Sequence, residues 1–141
     1  MNNLGVVIEN IEEKFQLKLS KLFRKRIIFK SCSDNGINLL LITPESVIHK
    51  NGKAWVDLTE TQKQLFQKYD IGIIAFRLKN GQIFYINIKS ITKFLNENNS
   101  LINKQEGVHW KLHINPELEE LEIQKSKDRI PLIKDLKDLE V

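Results

Sequence analysis

Three Asn-Gly pairs divide this chain of 141 residues, at positions 35–36, 51–52 and 80–81. Each pair lies between two runs rich in apolar residues, many of them β-branched. Asn-Gly is the strongest short signal for a β-hairpin, because both residues tolerate the positive φ angles of a type I′ turn. The pattern therefore predicts strands joined by tight turns along much of the chain.

Two longer helices are predicted beside these strands. Apolar residues recur at helical spacing over residues 4–23, which predicts an amphipathic helix with one buried stripe. Thr59 with Gln62, or Asp57 with Glu60, has the spacing of a capping box. A second helix is therefore predicted to begin there and to run to about residue 69.

The strand patterns indicate the fold class. Residues 37–43 are nearly all apolar, which is typical of a central strand covered on both faces, whereas residues 108–114 alternate apolar residues with His and Lys. Further elements are predicted at residues 26–32, 45–50, 53–56 and 70–89 as strands and at 90–98 as a short helix. The order of elements predicts an α/β fold, one mixed β-sheet flanked by helices, in a single domain over residues 1–141.

The formal net charge of +4 is unevenly distributed along the chain. Residues 1–30 contain seven Lys or Arg and three Glu. Residues 116–141, predicted to be a peripheral acidic tail of strand and helix, contain eight acidic and five basic residues. A basic amino-terminal third fits binding to a polyanion such as nucleic acid. A Lys-rich surface that is only solvated is the alternative interpretation.

The densest basic residues are candidate contacts to nucleic-acid phosphates, and binding through them is expected to weaken steeply with salt. They are Arg24, Lys25, Arg26 and Lys30, followed by Lys53 beside the second Asn-Gly pair. Trp55 and Trp110 are candidates for stacking on unpaired bases. The strand context of each Trp favours a packing role instead.

Several classes of protein are disfavoured. No apolar run approaches the ~18 residues of a membrane span, and the first residues lack the pattern of a signal peptide, so we expect a cytoplasmic protein. A single cysteine, Cys32, agrees with a reducing compartment. No zinc motif is predicted from the spacing of Cys32 and the three histidines. His109 and His113 are interpreted as surface residues, because no carboxylate supports them nearby in sequence.

The hairpin at residues 70–89 has the most specific chemistry. Asp70 opens its first strand, and Asn87-Ile88-Lys89 closes the second. This arrangement resembles the restriction-endonuclease-like PD-(D/E)XK nuclease superfamily, which includes the archaeal Holliday-junction resolvases. In that family an Asp and an acid-x-Lys on adjacent strands converge on a metal ion. The family core is a helix, a three-stranded meander, a second helix and one or two further strands.

The resemblance implies Mg²⁺-dependent catalysis by three residues. Asp70 would hold the metal, Asn87 would be a weak ligand in the place of the family's second acid, and Lys89 would act on the phosphate or the attacking water. Asn87 and Lys89 are expected on one strand face, because side chains alternate along a strand. The amide of Asn87 contributes no charge, so the motif is degenerate in this sequence.

A second register fits the gross topology of the family better. Residues 4–43 then supply the first helix and strands, with Asp34 or Glu45 as the acids, and the helix near residue 60 follows the catalytic strand. That strand reads Ile-Asn-Leu-Leu-Leu-Ile-Thr and has no charged residue. In this register the fold is present and the active site is lost.

The sequence therefore favours a protein that interacts with nucleic acid. It would be either a Mg²⁺-dependent DNA endonuclease or a catalytically degenerate relative that binds DNA. The alternative is a non-catalytic protein-interaction domain that uses sheet edges and the Leu-rich tail. Nucleases of this family commonly dimerise, and the amphipathic first helix is a candidate surface for a homodimer.

Overall fold

A computed structural model describes residues 3–22, 25–32 and 36–141. Over these residues the fold is mixed α/β, mostly strand, with two α-helices, α1 (Leu4–Phe15) and α2 (Glu60–Phe66). The strands in chain order are β1 (Leu19–Lys21), β2 (Ile28–Ser31), β3 (Leu39–Ile42), β4 (Glu45–Ser46), β5 (Ala54–Thr59), β6 (Ile71–Leu78), β7 (Ile83–Asn87), β8 (Leu101–Asn103), β9 (Gly107–Asn115), β10 (Glu120–Ile123) and β11 (Arg129–Pro131). No helix in these ranges is long and apolar enough to cross a membrane.

The first sheet, sheet A, has the strand order β1-β2-β3-β6-β7. Strands β1, β2 and β3 form an antiparallel meander, β3 is parallel to β6, and β7 returns antiparallel to β6 after the turn at Asn80-Gly81. Beyond Pro44 the chain continues along the same edge of β6 as the short strand β4. All four residues of β3 are buried, which confirms the prediction of a strand covered on both faces.

The second sheet, sheet B, is antiparallel with the order β11-β10-β9-β5, and β8 pairs with the first residues of β9. The prediction of one sheet is therefore wrong. Strands β4 and β5 were expected to form one hairpin around Asn51-Gly52, but they belong to different sheets. Gly52 does adopt a turn conformation, with a φ of +82°. Strand β5 then pairs with β9, which buries Ala54, Val56 and Leu58 against sheet A.

Two hydrophobic layers hold the elements together. The larger layer lies between sheets A and B and includes Ile74, Phe76, Trp110, Leu112 and Ile114. The smaller layer lies between the other face of sheet A, helix α1 and the C-terminal residues, and it includes Val7, Ile11, Leu41, Ile73, Tyr85 and Leu136. Sheet A is therefore packed on both faces, whereas sheet B is packed on one.

Helix α1 ends at Phe15, earlier than the predicted residue 23. Gln16 has φ and ψ angles of 53°, the left-handed conformation that commonly terminates helices. The Glu12 carboxylate accepts a 2.8 Å hydrogen bond from the backbone N–H of Leu19. Leu19 pairs with Ser31 and belongs to strand β1, although its spacing from the earlier apolar residues is helical.

Helix α2 begins with one of the two predicted capping boxes. The Thr59 hydroxyl accepts a hydrogen bond from the N–H of Gln62 at 3.2 Å, and the Gln62 side chain accepts one from the N–H of Thr59 at 3.1 Å. Asp57, the other candidate for this cap, lies within β5. The helix ends at Phe66 rather than near residue 69.

Residues 116–141, predicted to be a peripheral tail, contribute β10, β11 and a 3-10 turn at Leu136–Asp138. Leu121 and Ile123 of β10 have no exposed surface, and Leu132 and Leu139 are also buried. These apolar residues extend the hydrophobic layers on both faces of sheet A.

Candidate functional site

The predicted catalytic residues Asp70, Asn87 and Lys89 are divided between the two faces of sheet A. Asp70 and Lys89 line a cavity of about 180 Å³ beside α2. Asn87 is the last residue of β7 and pairs with Ile73, whose side chain lies in the layer beneath α1. Directly paired residues of antiparallel strands share a face. The structure therefore brings Asp70 and Lys89 together and leaves Asn87 on the opposite side.

Asn87 holds the end of β7 in place. Its Oδ1 accepts a 2.9 Å hydrogen bond from the N–H of Lys89, and its Nδ2 donates at 3.0 Å to the carbonyl of Glu140. The prediction that Asn87 and Lys89 share a strand face is wrong, because the strand ends at Asn87 and Lys89 lies in a 3-10 turn. Backbone groups therefore engage both polar atoms of this amide.

The acids of the second register are Asp34, which lies outside the described residues, and Glu45, which lies on β4. The Glu45 carboxylate is 2.7 Å from Nζ of Lys79 and 3.6 Å from Nη1 of Arg77. The hydrogen bond from Lys79 lowers the pKa of Glu45, and the positive charges of Lys79 and Arg77 lower it further against the opposing effect of burial. Two cations already neutralise Glu45, which disfavours it as a metal ligand.

The predicted phosphate contacts are spread over the molecule. Arg24 lies outside the described residues, Lys25 and Arg26 are exposed before β2, and Lys30 is an exposed residue of β2 in sheet A. Lys53 is partly exposed and immediately precedes β5 of sheet B. The predicted basic set therefore spans both sheets.

One face of sheet B points to solvent, and we call it the outer face. In β9, Trp110, Leu112 and Ile114 point into the layer between the sheets, so the residues between them point outward. The strand alternates as predicted, but on its outward side Lys111 and His113 are half-buried and His109 is buried. The outer face is formed by Trp55, Asp57 and Thr59 of β5 and by His109, Lys111 and His113 of β9.

The two tryptophans of sheet B have different environments. Trp110 is 2% exposed, and its Nε1 donates a 2.9 Å hydrogen bond to the carbonyl of Asn96, so the prediction of a packing role is confirmed for it. Trp55 is 38% exposed on the outer face. The Nζ atom of Lys111 lies 4.2 Å from the centroid of the Trp55 ring, and the His49 ring stacks on it with centroids 6.0 Å apart. Trp55 is therefore a partly exposed aromatic ring that contacts one lysine and one histidine side chain.

Three potential metal ligands meet at the other end of the outer face. One donor atom each from Asp57, Glu106 and His109 lies within 4.8 Å of the others, and we call this set the carboxylate–histidine cluster. In the β5–β9 register Asp57 pairs with Lys111 and His109 pairs with Thr59. Asp57 and His109 are therefore diagonal neighbours on one face. Glu106 comes from the turn between β8 and β9.

Short-range contacts hold the turn and the imidazole of the cluster. The N–H of Glu106 donates a 2.6 Å hydrogen bond to Oδ1 of Asn103, and Gly107 adopts a φ of +67°, which is readily accessible to glycine. The His109 side chain is only 5% exposed. Its Nδ1 lies 2.9 Å from the carbonyl of Gly107 and 4.0 Å from Oε2 of Glu106.

The surroundings of Glu106 disfavour the charged form of its carboxyl group. Burial raises the pKa of the Glu106 carboxyl, and the hydrogen bond and negative charge of Asp57 raise it further, whereas His109 and Lys111 act in the opposite direction. Oδ1 of Asp57 is buried and has no hydrogen-bond partner among the described residues. The cluster therefore combines two neighbouring carboxyl groups with an imidazole beside them.

The interpretation of His109 as a surface residue without carboxylate support is corrected by this geometry. Asp57 is distant from His109 in sequence and reaches it only because β5 pairs with β9. The sequence contained one signal for this cluster. Asp57 and His109 are polar residues at outward positions of two strands whose apolar and polar residues alternate. That signal becomes useful only when the pairing of the two strands is known.

Comparisons of the chain with protein-family models, with curated proteins and with solved structures found no match.

Proposed function

We propose that this protein binds single-stranded nucleic acid through Trp55 and the neighbouring cations of sheet B. The observation that carries the proposal is the Trp55 side chain, which is 38% exposed on the solvent face of a sheet and contacts Lys111 and His49. Aromatic side chains on such faces stack on unpaired bases, and basic residues beside them track the phosphates. The net charge of +4 favours the same class of ligand.

Lys111 and the stacked His49 ring both contact Trp55, so a base that stacks on Trp55 displaces at least one of them. Displacement of Lys111 removes its cation–π contact with the ring. An exposed cation–π contact contributes about 0.5–1 kcal/mol, whereas stacking of a base on an aromatic side chain contributes about 1–3 kcal/mol. The exchange therefore favours the base. The Lys111 ammonium is on a flexible stem, and once displaced it can contact a phosphate of the bound strand.

Charges on sheet B give the bound strand a preferred position. Lys53 precedes β5 at the Trp55 end, whereas Asp57 and Glu106 lie toward the turn between β8 and β9. A phosphate chain is repelled by these two carboxylates. We therefore expect the nucleic acid to run across Trp55 and Lys53 and to avoid the carboxylate–histidine cluster.

The order of elements in sheet A supports descent from a restriction-endonuclease-like nuclease. Helix α1, the meander β1-β2-β3, helix α2 and the hairpin β6-β7 follow the sequence of the family core, with β4 and β5 inserted before α2. The strand that carries the acid-x-Lys of the family in this register is β3, whose residues are Leu39–Ile42. The protein is accordingly proposed to be a catalytically degenerate relative that retains nucleic-acid binding.

Anisotropy of a labelled oligothymidine tests the proposal. The wild-type chain should bind the oligonucleotide, and affinity should fall between about 50 mM and about 200 mM salt as counterion release requires. Trp55→Ala should weaken binding by about 1–3 kcal/mol, or roughly 5- to 150-fold. Lys53→Gln should reduce the slope of affinity against salt by about one counterion.

Leu118→Ala is the matched control for loss of an exposed apolar side chain, because Leu118 is 55% exposed in the turn between β9 and β10. Binding that is equal in wild type, Trp55→Ala and Leu118→Ala contradicts the proposed surface. Absence of binding at low salt in the wild type would favour the protein-interaction alternative.

Nuclease activity is the second candidate, because Asp70 and Lys89 line one cavity. Incubation of the chain with single-stranded, duplex and four-way-junction DNA in Mg²⁺ or in a chelator tests it. Metal-dependent cleavage that is abolished by Lys89→Ala would assign the cavity as an active site. Lack of cleavage, with binding retained, agrees with the degenerate relative that we propose.

A further inference from the structure

We propose that the carboxylate–histidine cluster of Asp57, Glu106 and His109 binds a divalent transition-metal ion of the Zn²⁺ type. The inference goes beyond nucleic-acid binding at Trp55 and is tested without nucleic acid. The three donor atoms lie within 4.8 Å of one another. Ligands bonded at about 2.1 Å in a tetrahedral site lie about 3.4 Å apart. Movements of about an ångström therefore close the site, and the Glu106 side chain on its turn can supply them.

The buried oxygen of Asp57 is an independent indication of a cation. Oδ1 of Asp57 is inaccessible to solvent and has no hydrogen-bond partner in the part of the chain that the structure describes. Buried acceptors of this kind are rare, because they lose hydration without gaining a donor. A metal ion bound to the Asp57 carboxylate would compensate this loss and screen its repulsion with Glu106.

The His109 ring is held beside the cluster by a backbone carbonyl. Its Nδ1 lies 2.9 Å from the carbonyl of Gly107, a distance at which an Nδ1–H donates to the carbonyl oxygen. This tautomer leaves the lone pair of Nε2 available for a metal. Backbone carbonyls commonly fix metal-binding histidines in this way. The ring is 5% exposed, so its orientation is also held by packing.

The donor set selects the class of ion. One imidazole nitrogen and two carboxylates suit Zn²⁺ and related transition metals, whereas Mg²⁺ and Ca²⁺ prefer sites made only of oxygen. Lys111 pairs with Asp57 in the strand register, but its Nζ lies over the Trp55 ring, 4.2 Å from the centroid. Glu106 is 35% exposed and provides the entry side. Three protein ligands leave a fourth position for water.

Titration calorimetry of the chelator-stripped full chain with Zn²⁺ alone tests the site. A Cys32→Ser background removes the exposed thiol as a competing ligand. We expect one ion per chain and a melting temperature that rises with Zn²⁺ concentration. Glu106→Gln should weaken Zn²⁺ affinity at least tenfold, as should His109→Gln. Co²⁺ should bind with visible absorption bands that Glu106→Gln alters.

His113→Gln is the matched control, because His113 lies on the outer face of the same strand and its Nε2 is 3.1 Å from Oε1 of Gln124, outside the cluster. Its Zn²⁺ affinity should equal that of the parent chain. Glu106→Gln keeps the test valid if replacement of buried His109 unfolds the protein, and melting in chelator verifies the fold of each variant. Absence of Zn²⁺ binding, or binding equally strong in Glu106→Gln, overturns the proposal.

Discussion

Sheets A and B differ in the share of their side chains that is buried by packing. Strand β3 of sheet A is buried at every residue, because α1 packs on one face of the sheet and sheet B on the other. Strands β5 and β9 of sheet B bury only alternate residues in the core layer and direct the rest outward. Side chains that can meet a ligand are therefore concentrated on sheet B.

Two polar residues of sheet A, Arg77 and Asn87, are engaged by the protein itself. Arg77 is 9% exposed, and its Nε and Nη2 donate to the carbonyl of Thr43 at 3.1 Å. Asn87 caps the turn after β7 and binds the carbonyl of Glu140. On sheet B, Trp55 is accessible. Among the described residues two buried polar atoms have no hydrogen-bond partner, Oδ1 of Asp57 in sheet B and the hydroxyl of Tyr85 in sheet A. Whether a face of a sheet is covered therefore indicates better than position in a motif which side chains can bind a ligand.

The largest expected effect is the loss of stability when a leucine is truncated in sheet A rather than at the surface. Leu41→Ala should destabilise the protein by about 2–5 kcal/mol, because Leu41 has no exposed surface and its truncation leaves a cavity in a doubly covered sheet. Leu118→Ala, which makes the same chemical change at a 55% exposed position, should alter stability by less than about 0.5 kcal/mol. Urea unfolding measures both. Equal effects would contradict the difference between the regions.

A smaller effect is expected where α2 meets sheet A. A Cβ atom on Gly72 would lie 2.5 Å from Cδ1 of Phe66 and 2.6 Å from Cγ2 of Ile88. Gly72→Ala should therefore destabilise by about 1–3 kcal/mol through overpacking. Gly5→Ala in α1 is the matched control, because nothing lies within 4 Å of its Cβ position. It should stabilise the helix by about 0.5–1 kcal/mol. Thermal melts that show the same sign for both would refute the assigned packing.

Asn87→Asp restores the acid of the nuclease motif and tests whether position 87 can take part in a metal site. Asn87→Asp keeps the oxygen that accepts from Lys89 and loses the donor to the Glu140 carbonyl, so we expect a loss of about 1 kcal/mol. It should not create Mg²⁺-dependent cleavage, because position 87 faces away from the cavity that Asp70 and Lys89 line. A cleavage assay with junction DNA checks this. Cleavage gained by Asn87→Asp would favour the first register, in which Asp70, Asn87 and Lys89 form the active site.

The smallest expected effect concerns the Glu45 ion pair. Its folded pKa is lowered, so its contribution to stability is present above the usual value of 4.5 and is lost as pH falls through the folded pKa. Glu45→Gln should destabilise by only about 0.3 kcal/mol at neutral pH, because the side chain is 42% exposed and solvent screens the pair. Unfolding measured against pH should show the two proteins converge in acid. A difference that persists in acid would indicate packing rather than charge.

Local signals predicted the elements that depend on neighbouring residues. The capping box at Thr59 and Gln62, the apolar strand β3 and the hairpin turn at Asn80-Gly81 are all present. The end of α1 was not predictable from apolar spacing, because it depends on the left-handed Gln16. In such a short segment, the apolar residues at the start of a following strand can continue the helical spacing of the helix before it.

Long-range pairing was the part that the sequence did not reveal. The Asn-Gly pair before Lys53 indicates a turn, but it contains no information that β5 leaves β4 and joins β9. The cluster of Asp57 with His109 is created by that pairing alone. The nuclease-like motif predicted that Asp70 and Asn87 act together because one hairpin contains both. The structure places them on opposite sides of sheet A.

Oligonucleotide-induced quenching of tryptophan fluorescence, measured in variants of sheet B and of the cavity beside α2, tests most directly where the ligand binds. Trp110 is buried, so quenching by a stacked base should come from Trp55. We predict that the double variant Asp70→Asn, Lys89→Gln at the cavity beside α2 quenches and binds as the wild type does. Trp55→Ala should lose the quenching and bind roughly 5- to 150-fold more weakly. Binding that survives Trp55→Ala and disappears in the double variant would contradict the assignment of the ligand surface to sheet B.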